Sequence, residues 1–345
     1  MIKILIVDDS AFMRKVLSDL LAQVPDVTVS GTARNGKNAI EMLNKTLVDL
    51  VVMDVEMPVM DGLSALKIIK QTFNIPVIML SALSNQEITI EALAAGALDF
   101  IEKPTNLRAI ETEWVSDFYE KIKSVQPSGL TETTKITAPI SKNNQPTPRL
   151  LEPMSAVQLR MNTQAVVIGA STGGPKALLS VIQQLPNHLS KPIFIVQHMP
   201  KGFTKHFAER MNQEAAVTVV EATDGMLIQN RVYLCPGDYH MTLDRGRIML
   251  NQAPKLHGTR PAVDYLFKSA ASLYQAKLTA VLLTGMGKDG ADGMVTVHHH
   301  GGYNIAQNKE TCTVYGMPRS AVEKNVVNEI LPLAMIGTKI SQIVG

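Results

Sequence analysis

MIKILIVDDS, residues 1–10, is an apolar run that stops on two acids. Its near-continuous apolar character reads as a strand buried on both faces, because a half-solvated strand alternates. The pattern returns in VTVSGTA (27–33), LVVMDV (50–55), IPVIML (75–80) and LDFIEK (98–103). Helical patterns fall between them over 11–23, 36–45, 61–72 and 85–95, with a last one from about Asn106 to Lys123. Five such strand–helix units predict a doubly wound parallel sheet of order 2-1-3-4-5, with ligands at the carboxyl ends of the strands.

Past Lys123 the periodicity dissolves. Residues 124–162 are rich in Pro, Thr, Ser and Asn and read as a flexible linker. Order returns in QAVVIGA, PIFIVQH and LTAVLLTG, apolar strands followed by Gly-rich turns and by helical stretches over 174–184, 203–213 and 289–299. HMTLDRGRIMLNQ (240–252) reads as a hairpin turning at Arg245–Gly246. The division expected is 1–123, 124–162 and 163–345, the last a mainly parallel, doubly wound α/β domain with a small antiparallel hairpin.

The 345 residues, 46% apolar and 19% charged, suit two globular domains. A net charge of +2 gives no basic nucleic-acid surface. Cys235 and Cys312 form no C-x-x-C pair and fit a reducing compartment. The opening residues read as a strand rather than a signal peptide, and no apolar run approaches the roughly 18 residues of a membrane span. A cytoplasmic protein without membrane insertion is expected.

Asp8 and Asp9 end the first strand and Asp54 the third, and those strands are neighbours in the predicted order. Three converging carboxylates need a cation, and hard oxygen ligands select Mg²⁺. Ser81 ends the fourth strand and Lys103 the fifth, placing a hydroxyl and an ammonium at the same crevice. One strand-end Asp is usually a helix cap; five matched residues at four strand ends point to phosphoryl chemistry.

In the second domain Gly169-Ala170-Ser171-Thr172-Gly173 lies between a strand and a helix, the arrangement of a nucleophile elbow. A Gly-rich turn of this kind is as often a phosphate cradle, and the stretch alone leaves both open. Pro175 spoils a P-loop, and Ser171 replaces the middle Gly of a dinucleotide fingerprint. His198 ends the neighbouring strand, within reach as a general base. Asp289 follows LTAVLLTG and begins a helix, placed to hold the imidazole, with Asp292 as a competitor. The glycines around Met286 leave its N–H free for an oxyanion.

Residues 1–123 resemble the flavodoxin-like receiver domain of response regulators, on VDDS, MDVEMPVMDG, Ser81-Ala82 and Lys103-Pro104. That resemblance implies phosphorylation of Asp54 by a histidine kinase. Its Mg²⁺ would be held by Asp9, Asp54 and the Glu56 carbonyl, with Asp8 assisting, and Phe100 would be the switch aromatic. GASTGGP, VQHMP, CPGDYHM, TRPAVD, LLTGMGKDGADG and VYGMPR resemble the catalytic domain of CheB-type chemotaxis methylesterases. The resemblance implies a triad of Ser171, His198 and Asp289, with Met286 in the oxyanion hole. It also implies hydrolysis of glutamyl methyl esters on chemoreceptors, releasing methanol, and deamidation of receptor glutamines, neither needing a metal. Two other outputs compete, a DNA-binding domain and a non-hydrolytic nucleotide-binding domain. The first lacks a helix-turn-helix and a basic face.

His298-His299-His300 cannot converge on one ion, since consecutive helix positions diverge by about 100°. Arg260 suits either an acidic partner surface or a structural ion pair.

Overall fold

The computed structural model describes residues 1–104, 112–123, 125, 151 and 153–345. Most of the expected linker, and the expected helix start near Asn106, lie outside the described residues.

The first unit runs β1 (Ile2–Val7), α1 (Ala11–Leu21), β2 (Val27–Ala33), α2 (Gly36–Leu43), β3 (Leu50–Asp54), α3 (Gly62–Thr72), β4 (Val77–Ser81), α4 (Gln86–Ala94), β5 (Asp99–Glu102) and α5 (Thr112–Lys123). Its five strands are parallel in the order β2-β1-β3-β4-β5, as the sequence predicts. Ser10, Asn35 and Asp61 cap α1, α2 and α3, each side chain accepting from a first-turn amide. Such caps contribute about 1 kcal/mol each and fix where every helix leaves the strand ends.

The second unit begins with α6 (Ala156–Asn162), β6 (Ala165–Ala170), α7 (Gly174–Ile182), β7 (Ile193–Gln197) and α8 (Phe203–Glu214). Then come β8 (Val219–Glu221), β9 (Val232–Leu234), β10 (His240–Asp244), β11 (Arg247–Asn251), α9 (Val263–Tyr274), β12 (Leu278–Leu282) and α10 (Ala291–His299). It closes with β13 (Tyr303–Gln307), α11 (Met317–Glu323), β14 (Glu329–Leu331) and α12 (Leu333–Val344). Seven parallel strands take the order β14-β13-β12-β6-β7-β9-β8, while β10 and β11 form the separate antiparallel hairpin. Its turn residues Arg245 and Gly246 both have positive φ, matching the right-handed strand twist. The short strands β8, β9 and β14 have three residues each, too few to register as apolar runs.

Ile4, Ile6, Leu17, Leu21 and Phe118 pack one face of the first sheet. The other face forms a core continuous with the second unit, running from Met79, Ile90 and Phe100 to Phe203, Phe207 and Ile182. The first unit therefore docks on the second through α4 and β5. Among the described residues no helix is long and apolar enough to cross a membrane.

Candidate active site

β6 is buried throughout and delivers Ser171 at its carboxyl end. The turn closes through Gly173, at φ +74°, a region that an L side chain rarely adopts. Pro175 then opens α7 at a position where its missing N–H costs nothing. A Cβ on Gly174 would meet the Gln197 side chain at 2.0 Å. That amide donates 3.0 Å bonds to the carbonyls of Ser171 and His198, tying the two strand ends together. The Ser171 N–H donates to Thr284 O at 3.0 Å. The serine backbone is thus held by β6, β7 and the end of β12.

His198 follows β7, its side chain 12% exposed. Its Nδ1 lies 3.1 Å from Ser171 Oγ and its Nε2 2.7 Å from Asp289 Oδ2, so the ring bridges hydroxyl and carboxylate. Asp289 is 1% exposed. Its Oδ2 also accepts from Val263 N at 2.6 Å, and Oδ1 from Asp264 N at 3.0 Å and Gly290 N at 2.9 Å. Burial alone would push this carboxyl up, but the imidazole and the amides outweigh it and hold it below the usual range.

The helix expected from Asp289 starts instead at Ala291, after Gly290 at φ +86°. Asp289 caps α9, and Asp264 of α9 reciprocates by accepting from Gly290 at 3.0 Å and Gly293 at 2.6 Å. Its capping role and its hold on the imidazole therefore coexist. Asp292 pairs with Lys324 at 2.9 Å and takes no part.

Met286 and Thr172 line the same cleft as Ser171, and their N–H groups have no acceptor among the described residues. Thr172 was not singled out from sequence, where its only signal is its place between Ser171 and Gly173. Gly285 permits the approach, because a Cβ there would meet Ser171 Cβ at 2.8 Å and Met317 Sδ at 2.2 Å. Thr259 Oγ1 lies 3.4 Å from His198 Nε2. The loop carrying it is pinned by buried His240, whose Nδ1 accepts from Ala262 N at 3.1 Å and whose Nε2 lies 3.2 Å from Pro254 O. Arg260 makes the structural ion pair, with Nε and Nη2 on Asp238 Oδ1 at 3.0 and 2.6 Å. A cleft of about 740 Å³ opens over these groups, its far wall formed by Asp99, Asp117, Glu120 and Lys121 of the first unit.

At the carboxyl edge of the first sheet the ligand atoms of Asp8, Asp9 and Asp54 lie within 4.8 Å of one another. Lys103 Nζ stands 2.6 Å from Asp54 Oδ2 and 3.0 Å from Asp8 Oδ2. Burial pushes the Asp54 carboxyl up to about 6, against the pull of Lys103. The contact with Asp8 Oδ2 is an ion pair outside hydrogen-bonding geometry, which leaves that buried oxygen without a donor. Three clustered carboxylates share one ammonium here, so negative charge is left over in the oxygen donor set a hard divalent cation takes. Ser81 is buried and makes no hydrogen bond to Asp54; its hydroxyl engages Thr89 and the Ala82 carbonyl. Phe100 is buried against Phe203 of the second unit.

His300 hydrogen-bonds its own helix through Thr296 O, and no metal cluster forms around it among the described residues. Burial pushes the Cys235 thiol far up and the Cys312 thiol to about 12, so neither is a thiolate nucleophile.

Fold and site together define a receiver-like α/β unit docked on an α/β unit that carries a Ser–His–Asp array of the serine-hydrolase kind. Residues 166–340 match the CheB methylesterase family and residues 4–114 the response regulator receiver domain. A protein-glutamate methylesterase/protein-glutamine glutaminase of Methanococcus maripaludis is 42% identical over 96% of this chain and 94% of its own. One of the same description from Thermotoga maritima is 40% identical, over 99% and 98%. The crystal structure of the Thermotoga maritima CheB methylesterase catalytic domain aligns with a TM-score of 0.51 and 43% identity, over 53% of this chain and 99% of that one. The chain belongs to the CheB methylesterase family and carries a receiver domain. A nucleotide-binding, non-hydrolytic output finds no support.

Proposed function

We propose that this chain is a receiver-controlled protein-glutamate methylesterase and protein-glutamine glutaminase, acting on chemoreceptors in adaptation. Residues 1–123 are the receiver and 163–345 the catalytic domain; of the linker expected over 124–162, Ala156–Asn162 are instead helix α6, packed on the catalytic domain through the buried Leu159. The observation that carries the reading is the continuous path Ser171 Oγ–His198–Asp289, 3.1 and 2.7 Å long, in a cleft also lined by Met286 and Thr172, whose N–H groups have no acceptor among the described residues.

His198 Nδ1 takes the Ser171 proton as Oγ attacks the γ-ester carbonyl carbon. The oxyanion is received by the N–H groups of Met286 and Thr172. Asp289 stabilises the imidazolium and holds the ring in register. His198 returns the proton to the leaving methoxide, and methanol departs. Water then attacks the glutamyl-enzyme, giving up a proton to His198, and the glutamate carboxylate is released from Ser171. A γ-amide follows the same course with ammonia as the leaving group.

In the receiver, Asp8, Asp9, Asp54 and the Glu56 carbonyl would hold Mg²⁺. The ion supplies positive charge to the incoming phosphoryl oxygens. An Asp54 carboxylate oxygen attacks the phosphorus of a phosphohistidine on the partner kinase, and the P–N bond breaks. Lys103 neutralises the acyl phosphate, and Ser81 turns from Thr89 toward it, drawing Phe100 inward. Inward motion strips Phe100 from Phe203 and loosens the receiver from the cleft. The site asks for no membrane insertion or nucleic acid, and a cytoplasmic location fits receptor segments facing that compartment.

A fluorophosphonate probe tests the nucleophile. Covalent label mapped to Ser171, and lost in His198→Ala, supports it; label elsewhere, or none, counts against it.

A further inference from the structure

The loop from Pro254 to Ala262 brings its tip to the catalytic ring. Leu256 and Thr259 exchange both backbone hydrogen bonds, Leu256 N donating to Thr259 O at 3.1 Å and Thr259 N to Leu256 O at 3.0 Å. His257 and Gly258 between them have φ +54° and +77°, the pair of positive values that a type I′ turn requires. Both legs of the loop are pinned. His240 holds Ala262 N and Pro254 O, and Arg260 Nη1 donates to the carbonyls of Gln252 and Ala253 at 3.1 Å each. Half-buried Thr259 is thereby fixed beside His198 in the cleft wall.

The Thr259 hydroxyl has one hydrogen, which it gives to Leu256 O at 3.0 Å. What Oγ1 turns to the ring is therefore a lone pair, 3.4 Å from His198 Nε2. Asp289 Oδ2, 2.7 Å from the same nitrogen, is an acceptor as well. Two acceptors at one ring nitrogen place the proton there and leave the basic lone pair on Nδ1, 3.1 Å from Ser171 Oγ. The ring can take the serine proton only in that tautomer.

We propose, resting on the methylesterase reading, that Thr259 is a positioning residue for His198. Its hydroxyl shares the Nε2–H with Asp289, fixes the ring at a second point, and helps to carry the positive charge formed as Ser171 attacks. Valine would fill the same space and withdraw the acceptor. With Asp289 as the sole anchor, the ring swings about the Nε2–carboxylate contact, and Nδ1 spends less time aimed at the hydroxyl. The contact is long and its acceptor neutral, so the expected share is roughly three- to tenfold in kcat, far below that of Asp289.

The test uses the full-length chain with Mg²⁺ and a phosphodonor. It reads methanol release from methylated receptor membranes, fluorophosphonate labelling of Ser171, and the ¹⁵N spectrum of histidine-labelled protein, with His198 assigned by its loss in His198→Ala. Thr259→Val lowers kcat by the stated factor with KM unchanged and slows labelling in parallel, while Thr259→Ser restores both. The wild-type spectrum shows the neutral His198 ring protonated on Nε2, and the Nε2–H signal shifts in the valine variant but not in the serine one. A role in loop packing alone would leave that signal in place. Unchanged kcat in Thr259→Val, a serine variant as slow as the valine one, or a wild-type ring protonated on Nδ1 overturns the proposal. The wild-type spectrum decides the last point without any variant. Labelling of Ser171 without methanol release defeats the methylesterase reading instead, and the labelling rates still judge Thr259.

Discussion

The ring of Phe100, at the end of the receiver sheet, lies 4.5 Å from that of Phe203 at the start of α8, inclined at 33°. The contact joins the receiver core to the catalytic core, and Phe203 opens the helix that directly follows the turn carrying His198. Lys121 holds the Phe100 carbonyl from below, so ring and backbone are both engaged in the docked state. If docking covers the cleft, weakening this pair opens it. Phe203→Leu and Phe100→Leu are each expected to cost about 1 kcal/mol of stability. Both should raise methanol release without phosphate and shrink the stimulation by Mg²⁺ and a small phosphodonor. Basal activity at the wild-type level in both would remove the pair from the coupling.

Asp289 serves two helices and an imidazole at once. Asp289→Asn keeps the shape but places an amide donor either against His198 and Val263 N or against Asp264 N and Gly290 N. The expected loss is about 10²–10⁴ in kcat with little change in KM. The folded carboxyl is held below its ordinary value, so the stability it contributes is present above that value and is lost as pH falls through the folded one. Urea denaturation of wild type and variant should therefore show a gap that is full at pH 7 and narrows below about pH 4.

Gly285 has no unusual φ; its role is room. A methyl group there meets Ser171 Cβ and Met317 Sδ well inside contact distance. Gly285→Ala should lower kcat at least about tenfold by displacing the hydroxyl from the imidazole. Fluorophosphonate labelling should slow in parallel, which separates a displaced nucleophile from a lost substrate contact.

His240 pins the Pro254–Ala262 loop as a neutral ring. Burial is the first cause that lowers its pKa, and the charge of Arg260 adds to it. The unfolded chain therefore binds a proton near pH 6.5 that the folded one resists, and stability falls as pH drops from there through the folded value. Thermal unfolding at pH 7.5 and 5.5 should show a smaller acid-induced drop in Tm for His240→Gln than for the wild type. An equal drop would place the titration elsewhere.

Much of this was legible in the chain because both-face-buried strands announce themselves. IKILIV and VTVSGTA coincide with β1 and β2 residue for residue, and the Arg245–Gly246 hairpin turn lies where its composition places it. Ser171, His198 and Asp289 were found because each terminates or follows a recognisable strand. The three-residue strands escaped, since so short a segment carries no period, and β13, α9, α11 and α12 went unread with them. Asp289 capping α9 was invisible for another reason: the amides it satisfies are 25 and 26 residues upstream, and only the folded chain brings them together. The Phe100–Phe203 contact likewise belongs to tertiary structure alone. Neither ring is marked in sequence as facing the other.

The most direct test is methanol release from methylated receptor membranes by the full-length chain, wild type against Ser171→Ala, with Mg²⁺ and a phosphodonor present. The account predicts release by the wild type and a loss of roughly 10³-fold or more in the variant. A variant that keeps about a tenth or more of the wild-type rate would contradict Ser171 as the nucleophile.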